Sequence, residues 1–266
     1  MFNLLRMDLY RIVKSRSMYV CFGIVQVFAV MSVMLLWLLG KGHEFAVMLG
    51  MSDYGGQQSL SGMLNGLDLI SVFRDTALDG GAYSLMLGIW VMMFTCMDYQ
   101  NGFIKNILSV HVNRWEYVIS RILAAGIVNF FWLVLHYGFL ALLNLLFGNL
   151  VPHAAAGDVL FYLGWAWLLT TAFAALIVFI CVLTRSAAAG TLAAVCFSSG
   201  AVVAPLYGIL QMFHKGGWLK HTIYFVLREG PGQFGGMQDL TVYVTGAVFV
   251  LVYGLLAGIV VKRQNI

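Results

Sequence analysis

Few residues in this chain have the types and spacing for bond-making chemistry. Ser198 and Ser199, followed by Gly200, with His136 elsewhere, supply the types of a nucleophile and its base. The serines lack the preceding glycine of a nucleophile motif, and small residues in an apolar run more often serve helix packing. Metal or carboxylate chemistry has less support. There is no H-E-x-x-H and no pair of carboxylates in an apolar run, and Cys21, Cys96, Cys181 and Cys196 lack ligand spacing. Phosphate chemistry would need G-x-x-x-x-G-K-[ST], which is absent; Gly230, Gly232, Gly235 and Gly236 follow no predicted strand and open no predicted helix. The expectation is therefore no catalytic, cofactor-binding or metal site in this chain, and no ATP hydrolysis by it.

The elements that hold these residues are membrane helices. Of 266 residues, 61% are hydrophobic and 10% charged, against about a quarter charged in soluble domains. A net charge of +4 on so apolar a chain does not suggest a nucleic-acid partner. Apolar runs of spanning length occur at 18–39, 82–97, 122–147, 159–183, 187–210 and 240–261. The predicted fold is all-α: a single polytopic bundle over 1–266 with six transmembrane helices, preceded by an amphipathic interfacial helix at 1–17. On that helix Phe2, Leu5, Leu9, Ile12 and Val13 form the expected apolar stripe. Six spans place both ends of the chain on one side. Ten of the fifteen basic residues fall there and eight of the eleven acids on the other, so the positive-inside rule puts both termini in the cytoplasm of a cell-membrane protein.

No Asp, Glu, Lys or Arg falls inside the six predicted spans, which argues against coupling to ions within the chain. His136, Gln26, Asn129 and Asn144 are the polar residues there; hydrogen bonds between helices are the plainer reading of each, with a proton relay through His136 the sharper one. In the fifth span Ser186, Gly190, Ala194 and Ser198 recur every four residues, and Gly254 and Gly258 form G-x-x-x-G in the sixth. Either face suits packing within the bundle or a dimer seam. Pro205 should bend the outer end of span five. Outer loops are expected at 40–81, where Leu60, Met63, Leu64, Leu67 and Ile70 could form a lid helix, and at 211–239, an interfacial or re-entrant stretch.

The inner loop, 98–121, carries the most pattern. Gly102 can break the helix leaving span two. Phe103, Ile104, Ile107 and Leu108 then form an apolar stripe opposite Lys105, Asn106 and Ser109. Asn113 with Glu116 has capping-box spacing for the next helix.

The stretch Asp98-x-x-x-Gly102-x-Ile104-Lys105-Asn106, with Arg114 and Arg121 before span three, resembles the membrane subunits of type 2 ABC exporters. The similarity is greatest to bacterial bacteriocin and lantibiotic immunity or peptide-export permeases. It covers the whole chain in topology and is concentrated in residues 98–121. The resemblance implies a coupling helix at Gly102, Ile104, Lys105 and Asn106 that docks on a separate ATPase, with Arg114 and Arg121 orienting it. It also implies two copies of that ATPase, which would bind the ATP and Mg, and pairing with a second copy of this chain or a related permease. The expected function is a translocation path for an amphipathic or lipid-like substrate such as an antimicrobial peptide. Two alternatives stand beside it: a non-transporting immunity or signalling protein that binds a peptide or partner, and an intramembrane hydrolase built on Ser199 and His136.

Overall fold

In a computed structural model of the chain, residues 2–48, 67–105, 114–213 and 216–264 are described. Their regular elements are all helical. Helix α1 (Phe2–Lys14) is followed after Ser15 by α2 (Arg16–Met48). Helix α3 (Leu69–Phe73) starts on an Asp68 cap, whose Oδ1 accepts from the Ser71 backbone N–H at 2.7 Å, and continues as a π-helical turn, Arg74–Asp79. Then come α4 (Ala82–Gln100), α5 (Trp115–Leu146), α6 (Ala156–Thr184), α7 (Ala187–Ser198), α8 (Val203–Met212), α9 (Ile223–Glu229) and α10 (Thr241–Arg263).

Five segments are long and apolar enough to cross a membrane: Arg16–Leu38 of α2, α4, α5, α6, and Met237–Arg263, which contains α10. A sixth exists if α7 and α8, bent by 51° to each other, are one broken crossing. These apolar helices mark a membrane protein. Helix α6 is central, touching α4, α5, α7 and α10, while α2 packs at the side against α4 and α5. Asn129 ties three of these helices together. It accepts from the Tyr83 hydroxyl at 2.8 Å and donates to Thr170 and Thr171 at 2.8 and 3.0 Å. Asn144 acts locally instead, exchanging two hydrogen bonds with the backbone of Val151 to close the α5–α6 turn.

The fifth predicted span is broken, and not where Pro205 suggested. The chain leaves helical geometry between Ser198 and Val203, where Gly200 has φ +74° and a Cβ there would overlap the Tyr224 ring. Only glycine meets both demands. Pro205 lies in the first turn of α8, where its missing N–H would have had no helical partner.

The small-residue faces pack inside the bundle. A Cβ on Gly190 would lie 2.6 Å from Met92 and 2.7 Å from Cys181; Ala194 meets the Gly88 position and Ser198 the Gly81 position of α4. Ser186 differs, capping α7 through the Ala189 N–H. In α10, Gly258 is covered by Trp115 and Gly254 faces Ile122, so the G-x-x-x-G face seats α10 on α5. Cys21, Cys96 and Cys181 are buried free thiols and Cys196 is half-buried.

The first helix and the loops match their expected form only in part. Helix α1 buries part of the stripe read from its sequence: Ile12 is buried and Leu5 and Leu9 are partly buried against the core, beside the buried Leu4 and Asp8, whereas Phe2 and Val13 are exposed. The described residues of the 98–121 segment are mostly helical, residues 98–100 ending α4 and residues 115–121 opening α5. Arg121, one residue before the predicted third span, thus lies in the second turn of a long apolar helix and is buried. The outer segments hold α3, its π turn and α9; Leu60, Met63 and Leu64 of the proposed lid lie outside the described residues, and Ile70 is buried in α3.

Candidate functional site

The polar centre of the bundle lies where α1, the end of α4 and the start of α5 meet. Helix α4 delivers Asp98 half a turn before it ends, and Gly102, at φ +66° with open space around it, breaks the helix. Residues 103–105 resume helix, burying Ile104 and leaving Lys105 exposed. Helix α5 brings Tyr117, Ser120 and Arg121 back to the same level, and α1 closes the side with Asp8 and Arg11.

Both Asp98 and Arg121 have fully buried side chains. Arg121 Nη2 donates to Asp98 Oδ2 and lies 3.3 Å from Asp8 Oδ1. Arg11 Nη2 donates to Asp98 Oδ1 at 2.7 Å, and the Tyr117 hydroxyl donates to Oδ2 at 3.2 Å. The Ser120 hydroxyl donates to Asp8 Oδ2 at 2.6 Å. Two guanidinium groups thus balance two carboxylates, as a low-dielectric site requires. Aromatic faces complete the enclosure. The Arg121 guanidinium lies 4.2 Å from the Phe94 ring centroid and 5.1 Å from that of Tyr117; Arg11 lies 4.6 Å from that of Phe103. Burial raises the Asp8 pKa above its ordinary value, an effect that Arg121 and the Ser120 hydrogen bond only partly oppose.

Arg114 has a separate task at the same end. Its Nη1 donates to the carbonyls of Gln264 at 2.5 Å, Val261 at 3.3 Å and Lys262 at 3.4 Å, satisfying acceptors that the end of α10 leaves open. Gln264 in turn donates to Val182 O of α6 at 2.6 Å. The segments before α2, between α4 and α5, between α6 and α7, and after α10 therefore gather at one end, called here the terminal end.

Of the residues singled out in the sequence, Gly102, Ile104 and Lys105 are neighbours on one short segment, Arg121 anchors the ion cluster beneath it, and Arg114 clamps the next helix. Asn106 lies outside the described residues. Asp8, Arg11, Tyr117 and Ser120 were not anticipated. A signal existed: Asp8, Asp98 and Glu116 are the only acids on the basic side of the predicted topology, and two of these three are buried against arginine.

His136 and the serines are engaged apart. His136 Nδ1 lies 3.2 Å from Gln26 Oε1 among the rings of Phe73 and Tyr83, while the Ser198 and Ser199 hydroxyls both donate to Val195 O. Near the opposite end of the bundle a mostly apolar cavity of about 120 Å³ lies beside the Gly200 break, lined by Phe173, Phe197, Ser198, Tyr224, Arg228 and Phe249. Arg228 is held there by Asp79, at 3.1 Å from Oδ1 and 2.5 Å from its carbonyl.

Comparison with protein-family models and with curated proteins found no match to this chain.

Proposed function

We propose that this chain is the membrane-spanning permease subunit of an ATP-driven exporter, with ATP and Mg bound by a separate ATPase subunit present in two copies. A second copy of the chain, or a related permease, would complete the translocation path in a cell membrane, with both termini cytoplasmic. The substrate would be amphipathic or lipid-like, such as an antimicrobial peptide.

One observation carries this reading. The helix break at Gly102, with Lys105 exposed and Ile104 buried just after it, adjoins a buried ion cluster that binds three helices together. Force applied to an exposed segment is transmitted only if its base is stiff, and a paired, desolvated cluster resists shear better than apolar contact alone. Lys105 would then face the ATPase, with Gly102 setting the turn, Ile104 seating the segment, Arg121 holding its base and Arg114 joining it to α10. The small apolar cavity near the Gly200 break suits an apolar part of a substrate better than an inorganic ion.

The test is copurification with the ATPase encoded nearby, and stimulation of its ATP hydrolysis, for wild type, Lys105→Glu and Gly102→Pro. Charge reversal and loss of the positive φ should each weaken the complex and its stimulation. Undiminished association and stimulation in both variants would remove the coupling assignment.

A further inference from the structure

A second polar feature at the terminal end adjoins the ion cluster and shares Arg11 with it. Between the last turn of α1, the first turn of α2 and the end of α4 is an open cleft of about 500 Å³, within the roughly 300–1,000 Å³ of small-molecule sites. One wall carries Arg11, Lys14 and Arg16 with the hydroxyls of Ser15 and Ser17, which lie 2.6 Å apart. The other is apolar, with the partly exposed Met93 and Met97. No acidic residue lines it. Among the described residues no carboxylate pairs with Lys14 or Arg16. Arg11 is half committed: Nη2 is held by Asp98, and 30% of the side chain stays exposed. The N-terminus of the 33-residue α2 opens at the same place, with first-turn N–H groups that have no acceptor within the helix.

We propose that this cleft binds the phosphate of an anionic phospholipid headgroup from the leaflet at the terminal end. Three cationic side chains and two hydroxyls line the cleft, and α2 starts beside them. The apolar wall separates a lipid from free phosphate: Met93 and Met97 belong to a spanning helix, and the exposed apolar surface of α2 begins one turn away at Val20 and Ile24. A headgroup in the cleft leaves its acyl chains along that surface, at the depth where the bilayer supplies them. The site also touches Arg11, so an occupied cleft would brace α1 against α4. This assignment does not depend on the exporter reading.

The experiment uses the purified full chain in detergent, titrated with phosphatidylglycerol, phosphatidylcholine or inorganic phosphate. It is read by retained lipid in native mass spectrometry and by thermal stabilisation. Wild type should retain and be stabilised by phosphatidylglycerol at concentrations where phosphatidylcholine and inorganic phosphate do little. Each basic group near an anionic leaflet contributes roughly a fivefold effect, so Lys14→Gln with Arg16→Gln should weaken phosphatidylglycerol binding about thirtyfold. Lys262→Gln with Arg263→Gln, which removes equal charge at the same end, should not; the single variants Lys14→Gln and Arg16→Gln should each show part of the loss. Equal retention of the two lipids, or phosphatidylglycerol binding unchanged in the cleft variants, would overturn the proposal. Stabilisation by inorganic phosphate as strong as by phosphatidylglycerol would replace the lipid with a free anion.

Discussion

Replacing Asp98 with Asn tests the ion cluster most directly. The substitution keeps size and one acceptor but removes the charge that faces Arg121 and Arg11 and accepts from Tyr117. Breaking a buried pair by neutralising one partner costs about 3–5 kcal/mol, because the other charge stays desolvated. Two features put this case at the lower end. Arg121 keeps Asp8 at 3.3 Å, and Arg11, whose side chain is 30% exposed, can turn toward solvent. We expect a loss of about 3 kcal/mol, or roughly 6–12 °C in Tm for a chain of this size. Thermal unfolding in detergent, followed with a thiol-reactive dye that reports on the buried Cys21, Cys96 and Cys181, measures it. Asp8→Asn should cost less, about 1 kcal/mol, since Asn can still accept from Ser120 and burial already disfavours the Asp8 charge. In a cycle with Arg121→Gln, the double variant with Asp98→Asn should be more stable than the summed single losses by about 2 kcal/mol. A Tm for Asp98→Asn within about 2 °C of wild type, or strict additivity in the cycle, would refute the account of Asp98 as the shared hub.

Gly200→Ala should lower Tm more than Gly102→Ala, since both carry the αL penalty of about 1–2 kcal/mol but only Gly200 also faces an overlapping ring. Adding Tyr224→Ala should recover part of the Gly200→Ala loss by the same measurement. In α10, Gly258→Ala should destabilise strongly through Trp115, while Gly254→Ala, 3.4 Å from Ile122 Cδ1, should be tolerated; Tm values of the two variants check the contrast. Because the native pKa of Asp8 is raised above 3.8, the folded state keeps a proton there that the unfolded chain has lost. Its contribution to stability is therefore present below 3.8 and declines as pH rises through the raised native value. The Tm advantage of wild type over Asp8→Asn should shrink across that window.

The spanning helices were legible because hydropathy over some twenty residues is a strong, local signal. What was illegible depended on partners far away in sequence. Asp8 sits on the buried face of α1 only because Ser120, 112 residues later, and Arg121 meet it there, partners that the sequence of α1 does not show. Arg121 was assigned to a loop for the same reason, since a charge reads as a boundary until its partner, Asp98, is seen 23 residues earlier. The break in the fifth apolar run was misplaced through a weighting of residue types. Pro205 is tolerated in a first turn, whereas the requirement for Gly200 comes from Tyr224 on a later segment.

A buried ion pair is weak grounds for stability, since apolar residues of similar volume often do as well. What such a cluster provides more distinctly is register. Helix α1 has Leu4 and Ile12 as fully buried apolar anchors, with Leu5, Met7 and Leu9 partly buried beside them, and apolar contact alone would let a short surface helix slide or roll. Asp8 and Arg11 remove that freedom, because each must meet a partner whose position is set by α4 or α5. The same bonds fix Asp98, four residues before the helix break at Gly102. Any displacement of the exposed segment at Lys105 is thereby carried both into the two spanning helices and into α1, so that the N-terminal helix and the bundle move as one body at this end.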